Sequence, residues 1–283
     1  LSSLTGLAAA IAFAGCTNTP PSANSAAISS EPSAAANSAT DTSQPLKVGA
    51  NVGNVPWEFE GKSGKLVGFE IDLINEIAKR LGRQVEFVNT PFTGLFPAVL
   101  SNRIDAAVSS ITITPKRMET LDFAQPYYDS DQLLTVKANS GITSVKDLKG
   151  KVVAVDTGST GDIWVKDHLQ EYSFKEVRRF EGLNPAMLDL TAGRFDGYIS
   201  DIPATLYYTK DKPELKVVER IKAGEQYSVM FAKGNPLRDE FNTQIEALKK
   251  DGTLAKLYEK WFGSAPEAGT STVEVVPLPS PSP

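Results

Sequence analysis

Cysteine and histidine are almost missing from this chain: one of each, Cys16 and His168, in 283 residues. A single cysteine excludes an internal disulfide, and one of each excludes a zinc cage built from several Cys and His ligands. A Cys–His dyad could form only between those two residues, so most histidine-dependent enzyme classes fit poorly. Basic charge is not in excess either. The 29 Lys and Arg against 34 Asp and Glu give a net charge of −5, whereas a nucleic-acid-binding domain ordinarily shows as basic. No uncharged apolar run reaches the ~20 residues that a membrane-spanning helix needs. What is there is the make-up of a globular protein, 41% hydrophobic and 22% charged, long enough for about two domains.

The two ends differ from the middle. Residues 1–16 are small and apolar up to Cys16 and read as the h-region of a secretory signal, whose charged segment would precede Leu1. Phe13-Ala14-Gly15-Cys16 resembles a bacterial lipobox, with Phe13 standing where Leu is usual. That resemblance implies cleavage before Cys16 and a diacylglycerol on its sulfur. The expected location is therefore outside the cytoplasm, periplasmic or at the cell surface, with a lipid anchor in the membrane. Residues 17–45 are Ser, Ala, Asn, Thr and Pro with few large apolar side chains, which predicts a flexible linker. Residues 264–283, ending Pro-Leu-Pro-Ser-Pro-Ser-Pro, predict a disordered tail by the same reasoning.

Between them, strand and helix patterns alternate. Leu46–Ala50 reads as a strand, and Ile71, Ile74, Ile77, Ala78 and Leu81 recur at helical spacing before Gly82. Strands are expected at 84–88, 104–108, 151–155, 176–180 and 195–199, and helices at 95–100, 161–172, 186–191, 202–208, 238–250 and 253–262. Such alternation predicts an α/β fold with mainly parallel sheet.

Several segments carry a family resemblance jointly. They are Val55-Pro-Trp-Glu-Phe59, Gly68-Phe-Glu-Ile-Asp-Leu-Ile-Asn-Glu-Ile-Ala-Lys-Arg-Leu81, Phe92-Thr-Gly-Leu-Phe-Pro-Ala-Val-Leu100 and Ser109-Ser-Ile-Thr-Ile-Thr-Pro-Lys-Arg117. Asp122-Phe-Ala-Gln-Pro-Tyr-Tyr128, Gly150-Lys-Val-Val-Ala-Val155 and Tyr258-Glu-Lys-Trp-Phe-Gly263 extend it. Together they resemble the bacterial extracellular solute-binding proteins of family 3, the polar amino-acid-binding components of ABC transporters. The resemblance implies a periplasmic-binding-protein-like α/β fold, two lobes joined by a two-strand hinge with the ligand cleft between them. Lobe 1 would hold 46–126 plus 228–263 and lobe 2 would hold 132–222, with crossings near 127–131 and 223–227.

A free amino acid presents a carboxylate and an ammonium, and burying both is costly unless each is hydrogen-bonded and countercharged. A planar guanidinium suits the carboxylate with two parallel donors. By resemblance that group is Arg117, after the turn Ser109-Ser-Ile-Thr-Ile-Thr114; its plain alternative is a solvated residue at a helix start. Ser109, Ser110 and Thr112 would touch the ligand from that turn, although Ser and Thr there can also be simple caps. Across the cleft, Asp156-Thr-Gly-Ser-Thr-Gly161 stands between a strand and a helix, where outward backbone N–H groups can hold an anion. The resemblance assigns carboxylate donation to Ser159 and Thr160. Asp201 would take the ammonium, its alternative being an N-cap for the helix at Ile202. Phe92 would pack on the ligand side chain, or simply in the core.

Three positions depart from close relatives of that family. Asn51 stands where an Asp often reads the ligand side chain, Asn54 replaces a stacking aromatic, and Asp156 is an acid where Lys or apolar residues are usual. General amino-acid binding survives these changes, and a particular specificity does not. Asp156 and Asn51 accept hydrogen bonds, so basic amino acids or glutamine are expected ahead of glutamate. Phe92 and Trp57 would then supply cation–π contact. His168 reads as a packed or exposed helix residue, and Glu70 and Asp72 as acids favouring a helix N-terminus.

The expected function is capture of a polar or basic amino acid, by a monomer, for the permease of an ABC importer. No catalytic residue, cofactor, metal or nucleic-acid partner is expected. An enzyme on the same fold, of the cyclohexadienyl or arogenate dehydratase kind, is the alternative, and Asp156 is its one candidate general acid. A sensory amino-acid-binding domain is the third.

Overall fold

A computed structural model of the chain describes residues 44–280. The expected signal, Cys16 and most of the linker lie outside the described residues. Leu46–Ala50 is buried at four of its five positions because it runs inside a sheet, paired in parallel with Val85–Asn89 on one side and Ala106–Val108 on the other. Met230–Ala232 adds antiparallel to Ala106–Val108, and Leu121–Phe123 adds antiparallel to Met230–Ala232 and so runs in the direction of the first three strands. Side chains alternate across it with the strand period of two. Leu46, Val48, Ala50, Ala106 and Val108 join a core with Ile74, Phe241 and Leu254 from the helices Phe69–Arg80, Leu237–Lys250 and Thr253–Phe262. Ala107 and Met230 join a second core with Leu95 and Val99 of Phe92–Leu100.

A second five-stranded sheet runs in the order Leu215–Tyr227, Tyr128–Lys137, Gly197–Asp201, Val152–Asp156, Glu176–Phe180. It too is covered on both faces. Leu134, Val153, Val155 and Ile199 pack with Val165 of Thr160–Asp167 on one side. Ala154 and Tyr198 pack with Met187 and Leu190 of Leu183–Thr191 on the other.

Tyr128–Lys137 and Leu215–Tyr227 pair antiparallel from Leu215↔Lys137 to Tyr227↔Tyr128, with irregularities after Val217 and Ile221. Their Tyr128 and Tyr227 ends are buried in the core of the first sheet. These two strands are therefore the connections between the lobes. Each sheet has one strand running against the other four, Met230–Ala232 in the first and Tyr128–Lys137 in the second, so both are mainly parallel, as the alternation predicts, with one antiparallel member each.

Two expectations change. The helix expected over 161–172 is broken at His168 (φ −106°, ψ 11°) into Thr160–Asp167 and Leu169–Tyr172. The His168 ring stacks on Trp164 at 4.3 Å, and its Nδ1 lies 2.8 Å from the Trp164 carbonyl. The segment after 264, expected to be disordered, lies against the protein through residue 276, with Ser271 and Thr272 buried. Composition misjudges it because its hydroxyl and backbone groups find partners that only the folded chain supplies.

Candidate functional site

The chain leaves Ala106–Val108 through Ser109 and Ser110, and Ser110 takes a left-handed backbone (φ 44°) that a side chain disfavours. Two contacts hold it there. The Ser110 N–H donates to Glu70 at 2.8 Å, and Asn54 Nδ2 donates to Ser110 Oγ at 3.2 Å. Thr114 then caps the helix Pro115–Met118 by accepting the Arg117 N–H at 3.1 Å, so the cap is Thr114 rather than Ser110 or Thr112. That turn sets Arg117 facing the cleft. Its Nη1 donates to the Thr112 carbonyl at 2.6 Å, and its Nη2 reaches the Gly158 carbonyl of the other lobe at 3.3 Å. Phe92 and Phe96 lie 5.7 and 5.1 Å from the guanidinium carbon. Burial pulls the Arg117 pKa down to about 10.

The facing wall is built from strand ends of the second sheet. Ser159 caps Thr160–Asp167 by accepting the Asp162 N–H. Asp201 occupies the N-cap position of Ile202–Thr209 but makes no side-chain cap bond. Its carboxylate instead accepts from Gln132 Nε2 at 2.5 Å. Burial, with the nearby Glu225 charge second, pushes Asp201 up to about 8. Asp156 accepts from the Tyr198 hydroxyl at 2.6 Å and from Ser200 at 3.3 Å, and burial pushes it up to about 6.

These groups surround a cavity of about 130 Å³. Asn51, Asn54, Phe92, Ser109, Ser110, Thr112 and Arg117 line it from one lobe, and Asp156, Ser159, Thr160 and Asp201 from the other. Trp57 does not. It is fully buried, edge-on to Tyr128 at 4.8 Å and to Tyr227 at 5.4 Å, so it is a core residue and offers the cavity no cation–π face.

Sequence reasoning missed several polar residues here. Glu181 and Ser200 also line the cavity. A signal for Glu181 existed, since it directly follows the strand Glu176–Phe180 and ligands in α/β sheets gather at carboxyl strand ends. Gln132 and Glu225 lie on the crossing strands, where no local pattern marks them. Gln132 Nε2 donates to Asp201, to Thr160 at 3.2 Å and to Glu225 at 2.9 Å, while Thr112 of the first lobe donates to Glu225 at 3.3 Å. Glu70 and Asp72 stand in the first turn of Phe69–Arg80, as expected, and each has a further partner that no local pattern marks: Glu70 pairs with buried Glu58, and Asp72 accepts from Lys260 and Trp261.

Two mixed α/β lobes, a pair of crossing strands and a polar cavity between the lobes define a periplasmic-binding-protein-like molecule. Comparison with known proteins agrees. The chain belongs to the bacterial extracellular solute-binding proteins, family 3, whose pattern matches residues 46–264. It is similar to the arginine-binding extracellular protein ArtP of Bacillus subtilis (strain 168), 34% identical over 221 residues, 77% of this chain and 86% of that one. It is equally similar to the L-cystine-binding protein TcyJ of Escherichia coli (strain K12), 34% identical over 223 residues, 77% of this chain and 83% of that one. Among solved structures, an ancestral arginine-binding protein bound to arginine superposes with a TM-score of 0.73 at 40% identity, covering 77% of this chain and 98% of that one.

Proposed function

We propose that the protein captures a free amino acid outside the cytoplasm and hands it to the permease of an ABC importer, with arginine or lysine favoured and glutamine next. The observation that carries this reading is the pairing of charges across one cavity. Arg117 faces it from one lobe and Asp201 from the other, with Asp156 and Glu181 on the wall beyond. Three of the five guanidinium N–H donors of Arg117 remain beyond the two described bonds, enough for a bidentate carboxylate. Asp201 is then the partner of the ammonium. Asp156 and Glu181 favour a cationic side-chain end and oppose a second carboxylate, more strongly in a partly dry cleft than in water. Similarity alone does not choose the ligand, because relatives of equal identity are named for arginine and for cystine.

Calorimetry with arginine, lysine, glutamine and glutamate tests the reading. Arginine or lysine should bind ahead of glutamate, and Asp156→Lys should weaken a cationic ligand much more than glutamine. Tight glutamate binding with the other three silent would refute it. A dehydratase-like enzyme is the second reading, favoured by one observation: Asp156 at about 6 is placed where a general acid works. Turnover of prephenate or arogenate would establish that reading instead.

A further inference from the structure

The family pattern stops at residue 264, yet the chain beyond it is held in place. Thr270 closes a turn through its hydroxyl to the Glu267 carbonyl at 2.6 Å, and the amides of Val273 and Glu274 return to the Thr270 carbonyl. The turn presents Ser271 and Thr272 inward, 3% and 2% exposed. The Ser271 N–H donates to Asp129 Oδ2 at 2.7 Å, and its hydroxyl donates to the other oxygen of the same carboxylate. Asp129 lies on one crossing strand, opposite Gln226 on the other. Gln226 Nε2 donates to both Asp129 Oδ1 at 3.0 Å and Ser271 Oγ at 3.3 Å. The Thr272 hydroxyl donates to the Tyr127 carbonyl at 2.9 Å.

The same segment is tied to the first lobe. The Glu274 carbonyl accepts from Lys249 Nζ at 2.9 Å, and the Val276 N–H reaches Gln125 Oε1 at 3.4 Å. Lys249 is buried and its other donors go to Gln125 and the Pro126 carbonyl, both at 2.7 Å, so Glu274 completes its three.

We propose that residues 265–276 form a strap that braces the two crossing strands against bending and thereby slows opening of the lobes. Hinge closure concentrates its backbone rotations in a few residues of the connecting strands. Here those strands are bonded to a third segment that is itself anchored on one lobe. Opening must strain or break the joint made by Ser271, Asp129 and Gln226, an obstacle that the two strands alone would not present.

Hydrogen–deuterium exchange without any added amino acid tests the strap independently of what the cleft binds. Two variants of the full chain are compared with the parent: deletion of 265–283, and Ser271→Ala with Thr272→Val. In both, amides of 127–131 and 223–227 should exchange at least about tenfold faster while the rest of the two sheets keeps its protection. Unchanged exchange at the crossing strands would overturn the proposal. So would an equal rise over both lobes, which would make the segment a general stabiliser. A rise in the deletion alone would overturn the assignment to Ser271 and Thr272.

Discussion

Arg117 reaches the cavity with backbone carbonyls as its hydrogen-bond acceptors, and among the described residues it forms no ion pair. Its burial is therefore a cost that a bound carboxylate offsets. Arg117→Ala should leave the melting temperature equal or higher and weaken arginine binding by about 2–5 kcal/mol, read by calorimetry beside a thermal melt. The acids opposite give binding a pH dependence. Asp156 and Asp201 stand at about 6 and about 8, so each holds a proton at low pH that an incoming cation must displace. Arginine affinity should rise as pH climbs from 5 to 8, with proton release detectable in buffers of different ionisation enthalpy. Asp156→Asn should flatten the lower part of that rise. An affinity independent of pH over this range would contradict the roles given to both acids.

At the scale of elements, the turn that leads to Arg117 is held from behind by two acids. Glu58 accepts from Ser109 at 2.6 Å and from Asn54 at 3.2 Å, and Glu70 accepts from Ser110 and the Tyr127 hydroxyl. Burial raises both carboxyls above the usual carboxylate range, and for Glu58 the neighbouring Glu70 charge adds to it. A raised folded pKa means stability that is complete below the unfolded value and lost as pH rises through the folded one. Thermal stability should thus fall toward alkaline pH. Glu58→Gln keeps a permanent donor toward Glu70 and should reduce that fall in melts between pH 5 and 9. The helix starting at Thr160 makes a second demand. A Cβ on Gly161 would lie 2.9 Å from Gln132 Oε1 and 3.1 Å from the Ile199 carbonyl. Gly161→Ala should cost about 1–3 kcal/mol of stability and also weaken arginine binding, because the displaced amide is the one that holds Asp201. Unaltered binding in a folded variant would remove Gln132 from the site.

Over the whole molecule, the cleft forms where strand ends of both sheets converge. Ala50 and Val108 of the first sheet lead into Asn51 and Ser109, and the second sheet ends three strands at Asp156, Phe180 and Asp201, with Glu181 next in the chain after Phe180. The placement matches the general preference of α/β sheets for binding at carboxyl strand ends. A lipid on Cys16 would hold this receptor at a membrane surface. Wild-type protein made in a bacterial host should then sediment with membranes, and Cys16→Ser should appear in the soluble fraction. A soluble, unlipidated wild-type chain would end the anchor proposal.

The sequence by itself determined what depends on neighbours along the chain. Apolar spacing marks the helix ending near Gly82, a β-branched run marks Val152–Asp156, and the Ser109–Arg117 turn carries its own cap at Thr114. Those local signals, with the family resemblance, pointed to Arg117 and its turn on one wall of the cavity and to Asp156 and Asp201 on the other. They passed over Glu181 and Ser200 and misplaced Trp57. What depends on distant segments was decided by the tertiary structure. Trp57 enters the core because Tyr128 and Tyr227 arrive from two crossing strands. Gln132 and Glu225 become one network because those strands pair, and Ser271 and Thr272 are ordered because Tyr127 and Asp129 accept their hydrogens. A polar side chain carries no local mark of the partner it will meet, since that partner's position exists only once the chain has folded.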